Sequence, residues 1–221
     1  MGIINLFTDG GIVTWIVMLP LLGFSILAIA LILERILFWM QINGRQDRVV
    51  KEVISLYRHN NVVSTLDKLR QNSDLPASRI FLAALELEDA TPEDFRLALE
   101  CSAQAEIPLL KRFQTAFDTI ISLAPLLGLL GTVLGLIESF ASLNLGDVGG
   151  TKTSGVTGGI SAALVSTAFG LVVAIFTLLF ANTFRGLNQR QLAFIQEHGG
   201  QLELLYRRRY ERGDKSYAPT R

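Results

Sequence analysis

The chain has 221 residues, half of them hydrophobic, and its 20 Lys and Arg balance 20 Asp and Glu, giving a formal net charge of zero. The apolar content excludes intrinsic disorder, and the single cysteine excludes a disulfide scaffold. The balanced charge argues against a nucleic-acid-binding protein, which needs an excess of basic side chains. Because the hydrophobic residues are concentrated in blocks, the composition indicates a membrane protein.

Three of these blocks are long enough to cross a bilayer. Residues 11–33 contain no charge, residues 119–137 form a second uncharged stretch, and residues 153–184 form a third. A helix needs about 20 apolar residues to cross about 30 Å of hydrocarbon. One such stretch could be a buried helix of a soluble protein, but three in a chain of this length predict transmembrane helices at 11–33, 119–140 and 159–184.

The basic residues predict the orientation of these helices. All Lys and Arg except Lys152 lie within 35–112 or 185–221, and the positive-inside rule assigns such segments to the cytoplasm. We therefore expect a cytoplasmic helical domain at 34–118 and a cytoplasmic helical tail at 185–221. The N-terminus, residues 1–10, and a link at 141–158 are expected in the periplasm. Since no basic residue precedes the first span, it is predicted to be a retained anchor rather than a cleaved signal peptide.

Local signals predict how the cytoplasmic domain is divided. Turns are expected at three sites: Asn43-Gly44, Asn60-Asn61 and Asn72-Ser73-Asp74. A helix is expected to begin at Thr91-Pro92, where a capping residue precedes proline and two acids. Because Pro108 is the only breaker before Asp118, that helix is predicted to continue into the second span.

The C-terminal region is predicted from the same kind of signal. The third-span helix is expected to continue inward through Arg190 towards Gly199-Gly200, and residues 206–221 are expected to be frayed. His59 and His198 are expected to be solvated, and Cys101 to be a half-buried thiol. Glu34-Arg35 is expected to mark the membrane interface and to pair locally.

Small residues form a stripe on each of the last two spans, at alternating steps of three and four. The second-span stripe consists of Pro125, Gly128, Thr132, Gly135 and Ser139, with Gly131 completing a Gly-x-x-x-Gly motif beside it. The third-span stripe consists of Ala163, Thr167, Gly170, Ala174, Thr177 and Ala181. Such stripes allow helix backbones to approach closely, so they predict tight packing either within the chain or around a partner helix.

Two hydroxyls stand out by their depth. At about 1.5 Å per residue, Thr132 and Thr167 are predicted about 10 and 12 Å below the outer surface of the hydrocarbon. They could line a polar pathway, or each could bond only to a carbonyl of its own helix. No ionisable residue lies inside a span, although Glu138 lies at the outer edge of the second. A proton pathway usually needs such a group in the membrane, so another subunit would have to supply it.

Two segments carry a family resemblance. Residues 124–136, APLLGLLGTVLGL, and residues 159–171, GISAALVSTAFGL, resemble the second- and third-span signatures of the MotA/TolQ/ExbB proton-channel family. Three spans and an outside N-terminus resemble ExbB and TolQ over nearly the whole chain, whereas the four-span MotA fits less well. The resemblance implies an all-α homo-oligomer, a pentamer in ExbB-like assemblies. It would surround a dimer of single-span ExbD- or TolR-like partners whose membrane aspartate is the protonation site.

The resemblance also assigns residues. The family's channel-lining threonines correspond to Thr132 and Thr167, and its helix-breaking proline to Pro125. ExbB proteins commonly carry a glutamate where this chain has Ala162, which puts a relay through that position in doubt. Glu138 near the outer mouth is a weaker candidate for the same task.

The expected function follows from this resemblance. The chain would be an inner-membrane proton-channel or motor subunit that passes work, through its partner, to a TonB-like or TolA-like protein spanning the envelope. The alternative is a non-conducting scaffold whose stripes only pack helices. Membrane lipids are expected as further partners. No enzymatic activity, cofactor, metal site or nucleic-acid partner is expected. The Gly149–Thr153 segment resembles a phosphate loop, but Thr rather than Gly precedes Lys152.

Overall fold

The computed structural model describes residues 12–141 and 153–213, and these residues form helices joined by short turns. In chain order the helices are α1 (Ile12–Arg58), α2 (Val62–Gln71), α3 (Pro76–Leu85), α4 (Pro92–Leu110), α5 (Gln114–Ala141) and α6 (Thr153–Glu211). The all-α class is therefore confirmed over the described residues. The predicted N-terminal segment 1–10, most of the predicted link 141–158 and the end of the tail lie outside them.

Three helical stretches are long and apolar enough to cross a membrane, among the residues that the structure describes. They lie within Trp15–Arg58, within Pro92–Ala141, which comprises α4 and α5, and within Gly158–Glu211. Many of their large apolar side chains are exposed, including Leu19, Leu126 and Ile175. An apolar surface of this kind is stable against lipid rather than water, which agrees with an integral membrane protein.

The chain divides into two compact units, and the first consists of the described residues of Met1–Glu34 and Phe113–Thr183. Its core joins one face of α1 to α5 and α6. Val17 and Leu21 of α1 pack in one buried cluster with Ala124 of α5 and Ala174 of α6. This unit contains both small-residue stripes.

The second unit consists of the described residues of Arg35–Arg112 and Phe184–Arg221. Arg79 on α3 donates two hydrogen bonds of 2.6 Å to the two carboxylate oxygens of Glu106 on α4. The ring of Phe95 on α4 stacks on Tyr206 of α6 with centroids 4.1 Å apart, and the Tyr206 hydroxyl donates to the Ala90 carbonyl at 2.8 Å. Burial raises the pKa of Tyr57 in this unit to about 12, partly opposed by the nearby Arg209 cation.

The predicted start of α4 is confirmed. The Thr91 side chain accepts a hydrogen bond from the Asp94 backbone N–H, and the Asp94 carboxylate accepts one in return from the Thr91 backbone. These two bonds form a capping box, which satisfies N–H groups that the first turn of a helix leaves unpaired. The Thr91 hydroxyl also donates to the Asp94 carboxylate at 2.6 Å, and this bond, followed by the one from the Thr91 backbone N–H, lowers the pKa of Asp94.

Two of the three predicted turns are present and one is not. Asn60 has a φ of +64° between α1 and α2, and a turn separates α2 from α3 at Asn72. Asn43-Gly44, in contrast, lies inside α1. Ile42, Gln46 and Val49 are buried at helical spacing around it. Packing of that face outweighs the cost of about 1 kcal/mol for a glycine within a helix.

The prediction that α4 continues into the second span is wrong. α4 ends at Leu110, α5 begins at Gln114, and Phe113 between them has a φ of +65°. Arg35, which is 2% exposed, donates hydrogen bonds from Nη2 to the carbonyls of Leu109 at 3.2 Å and Arg112 at 2.6 Å. The Leu109 carbonyl also accepts from the Arg112 backbone N–H at 3.3 Å, so Arg35 adds donors at the end of α4, where a helix leaves carbonyls without intrahelical partners.

Three further expectations are corrected in the second unit. α6 passes through Gly199-Gly200 and ends at Glu211, so the part of the tail from Tyr206 to Glu211 is helical. His198 is 7% exposed, and its Nδ1 lies 2.9 Å from the Phe194 carbonyl, so it is buried rather than solvated. Cys101 is exposed rather than half-buried.

Candidate functional site

The two stripes of the first unit meet each other, along a seam between α5 and α6. A Cβ atom added to Gly128 would lie 2.9 Å from the Thr167 Cα and 3.0 Å from the Ser166 carbonyl oxygen. A Cβ added to Gly170 would lie 2.5 Å from the Ala124 carbonyl oxygen. Since the obstructing atoms belong to the backbone, only glycine fits at these two positions.

The seam continues towards the other end of α5. A Cβ on Gly135 would lie 3.0 Å from the Cβ of Ala163, and one on Gly159 would overlap the Ser139 hydroxyl. A Cβ on Gly131 would overlap the Ser166 hydroxyl and lie 3.1 Å from Val17 of α1. The helices therefore run antiparallel, with close contacts from Ala124 to Ser139, about four turns of α5.

The side-chain hydroxyls at this seam bind backbone carbonyls. Thr167 Oγ1 donates across the seam to the Gly128 carbonyl at 2.9 Å, and Thr132 Oγ1 donates to the Leu129 carbonyl of its own helix at 2.7 Å. Consecutive residues of a helix differ by about 1.5 Å in height. Thr132 and Thr167 therefore hold their hydroxyls at nearly the same level of α5, although they belong to different helices.

The predicted site residues differ in how far the unit buries them. Gly128, Gly131, Ala163, Gly170, Ala174 and Thr177 are buried, whereas Pro125, Thr132, Gly135 and Thr167 are half-buried and Glu138 is exposed. Thr177 donates to the Val173 carbonyl of its own helix at 2.7 Å. Most of the stripe residues thus pack against other residues of the same chain. Thr132 and Thr167 retain surface at the edge of the seam.

Sequence reasoning missed Ser166 and Ala124. Ser166 is 4% exposed and donates to the Ala163 carbonyl at 2.7 Å and to the Gly128 carbonyl at 3.2 Å. It lies three residues after Ala163 and four before Gly170, so it continues the third-span stripe as well as Thr167 does. The spacing could have identified Ser166. Choosing between Ser166 and Thr167, however, required knowledge of where α5 lies.

The site offers neutral polar groups in an apolar surrounding. Within 119–137 and 159–184 the sequence contains no Asp, Glu, His, Lys or Arg. No group of His, Cys, Asp or Glu in the described part of the chain could hold a metal ion. Such a site can accept or donate hydrogen bonds to a molecule that enters it, but it cannot itself take up and release a proton near neutral pH.

Comparison with known proteins agrees with these features. Residues 72–197 match the model of the MotA/TolQ/ExbB proton channel family. The biopolymer transport protein ExbB-like 3 of Synechocystis is 61% identical over 207 residues, covering 93% of this chain and 98% of the relative. Synechocystis ExbB-like 1 is 40% identical, covering 91% of this chain and 78% of the relative. ExbB of Aquifex aeolicus is 35% identical over 52% of this chain and 74% of its own length.

Proposed function

The chain belongs to the MotA/TolQ/ExbB proton channel family, and from this premise we propose that it is the channel and motor subunit of an ExbB–ExbD-like complex. It would associate as an oligomer, with a pentamer as the expected form, around a single-span partner. The partner carries an acidic side chain into the membrane. Proton flow through the complex would drive movement of the partner, which passes work across the cell envelope to a TonB-like or TolA-like protein.

One observation supports this proposal above the others. The Thr132 and Thr167 hydroxyls lie at one level, at the edge of a seam that contains no ionisable side chain. An acidic side chain placed in an apolar surrounding is costly unless it forms hydrogen bonds there. Two hydroxyl oxygens at the same height offer hydrogen-bonding groups to such a side chain, and the absence of an acid in these spans gives a reason for a partner to bring one.

The cellular location is inferred from the apolar helices and from the relatives. Three apolar helical stretches and the ExbB-like relatives support a protein of the bacterial inner membrane. We propose that residues 34–118 and 185–221 face the cytoplasm and that the N-terminus and the link at 141–158 face the periplasm. Each proton that crosses then releases about 2.3 kcal/mol per 100 mV of membrane potential, so a few protons supply useful work.

The proposal is tested with the paired substitutions Thr132→Ala and Thr167→Ala. The double variant, reconstituted with its partner in proteoliposomes, is expected to lose proton uptake driven by a membrane potential while the complex still assembles. Thr183→Ala is the matched control, because Thr183 lies on the same helix as Thr167, is exposed and donates to the Leu179 carbonyl of its own helix at 3.0 Å. Wild-type proton uptake in the double variant would refute the proposal.

A non-conducting scaffold is the second candidate. It is favoured by the close backbone contact at Gly128 and Gly170, which gives the stripes a packing role within the chain. The same measurement of proton uptake separates the two candidates. If the protein is a scaffold, even the wild-type complex should show no proton uptake above that of empty vesicles.

A further inference from the structure

The interruption between α4 and α5 lies in a segment whose sequence favours a continuous helix. Residues 110–114 are Leu, Lys, Arg, Phe and Gln, and all of these except phenylalanine are among the better helix formers. Phe113 nevertheless has a φ of +65°, a left-handed conformation that is costly for a bulky side chain. The local preference and the observed backbone therefore disagree, and such disagreement is typical of strained or functional positions.

Arg35 binds two carbonyls that a continuous helix would satisfy itself. Each carbonyl of an α-helix accepts from the N–H group four residues later. In one continuous helix the Leu109 carbonyl would therefore accept from Phe113, and the Arg112 carbonyl from Ala116. In the interrupted helix, Arg35 Nη2 donates to these two carbonyls at 3.2 and 2.6 Å. The interrupted form thus draws on a donor from α1, whereas the continuous form does not need one.

The position of Arg35 allows this contact to be released by a small movement of α1. The same helix carries Val17 and Leu21, which pack in the buried cluster with α5 and α6. Because the bond to Leu109 is already at the usual limit of about 3.2 Å, a shift of α1 by about 1 Å would break both bonds. The Arg35 guanidinium lies 4.9 Å from the ring centroid of Phe38, three residues later on α1. The cation would therefore keep an aromatic partner that moves with it.

We propose that residues 111–113 form a joint with two states, and that Arg35 selects between them. While Arg35 binds the two carbonyls, the joint is interrupted and Phe113 is left-handed. When α1 moves and the bonds break, α4 and α5 join into one helix. A displacement of α1 beside the seam would thus change the backbone at the N-terminal end of α5. The joint does not depend on the proposed function, because neither state requires proton flow.

Amide hydrogen exchange of the full chain in lipid nanodiscs, followed by mass spectrometry, distinguishes the two states. In the interrupted state, Gln114, Thr115 and Ala116 form the first turn of α5, where N–H groups have no intrahelical acceptor. In the joined state, these three N–H groups would bond to the carbonyls of residues 110–112. The wild-type chain is expected to exchange rapidly at 114–116, and Arg35→Met should slow that exchange by about tenfold or more.

The direction of the change separates a joint from a merely structural contact. Loss of a contact that only supports the fold would speed local exchange, because local opening becomes easier. Arg35→Met combined with Phe113→Gly should return to rapid exchange, since glycine adopts a positive φ without cost and disfavours a continuous helix. Lys51→Met is the matched control, because Lys51 also lies on α1 and forms only an exposed ion pair with Asp47 among the contacts described. It should leave exchange at 114–116 unchanged.

Two results would overturn the inference. Unchanged or faster exchange at 114–116 in Arg35→Met would show that Arg35 supports a fixed interruption. Slow exchange that persists in the double variant with Phe113→Gly would show that the protection does not come from a helix passing through residue 113. Neither result affects the proposed function, which is judged by proton uptake.

Discussion

A methyl group added by Gly170→Ala measures how much of the stability depends on backbone contact at the seam. The new Cβ would lie 2.5 Å from the Ala124 carbonyl oxygen and 3.3 Å from the Gly128 Cα. Ordinary contact between such atoms begins near 3.4 Å, so α5 and α6 would have to separate locally by about 0.9 Å. A gap of this size removes a quarter to a half of the dispersion energy of the atoms facing across it.

The separation also affects the hydrogen bond next to it. The bond of 2.9 Å from Thr167 to the Gly128 carbonyl would lengthen beyond the usual limit of about 3.2 Å, at a cost of about 1 kcal/mol. Overpacking of a tight contact typically costs 1–3 kcal/mol. Alanine recovers up to about 1 kcal/mol through its better helix propensity. The net loss of unfolding free energy is therefore expected to be about 2 kcal/mol.

Unfolding by SDS in mixed micelles, followed by circular dichroism, measures this difference. Gly158→Ala is the matched control, because it lies on the same helix and a Cβ there meets no atom within 4 Å. The control should be neutral or slightly stabilising. If Gly170→Ala and Gly158→Ala have the same unfolding midpoint, the seam is not in backbone contact and the reasoning fails.

Three predictions concern the second unit. Arg35→Met keeps the length of a buried side chain but removes its bonds to two carbonyls, so it should lower the unfolding free energy by about 2 kcal/mol. Lys51→Met, which breaks an exposed ion pair with Asp47 on the same helix as Arg35, should cost less than about 1 kcal/mol, and equal losses would contradict the role of Arg35. Thr91→Ala should cost about 1 kcal/mol in the same assay and Thr91→Ser little, unless the capping box contributes nothing. Because folding lowers the pKa of Asp94, the contribution of its carboxylate to the unfolding free energy should be complete above the ordinary pKa of 3.8 and decrease as the pH falls below it. Asp94→Asn should remove that part of the acid sensitivity. An unchanged dependence of stability on pH would contradict this assignment.

The sequence predicts best what local physics decides. Uncharged stretches of membrane length need no information from elsewhere in the chain, and Thr91 begins α4 with signals contained in four residues. The end of α4 is different. The chain has no glycine or proline at Phe113, and the interruption depends on Arg35, more than 70 residues earlier in the sequence. A contact at that separation has no local signal.

The site shows the same division on a smaller scale. Steps of three and four identified Gly128 and Gly170, because periodicity alone places residues on one face of a helix. They could not decide between Ser166 and Thr167, which are about 100° apart around α6. The structure gives both hydroxyls a bond to the Gly128 carbonyl, but it buries Ser166 and leaves Thr167 at the edge. The position of the neighbouring helix decides which of two adjacent residues is accessible at the edge of the seam.

The packing of the seam and the chemistry of the site therefore depend on the same atoms. Glycine at 128 lets α6 approach until Thr167 reaches the Gly128 carbonyl, and that bond leaves the threonine oxygen with lone pairs only. A substitution that separates the helices should allow the Thr167 hydroxyl to rotate and to donate outward. Weakening of the seam would then change the hydrogen bonds that the Thr167 hydroxyl can form, and not only the stability. Because this chain has Ala162 rather than an acid on α6, no ionisable group in the spans would compensate for that change.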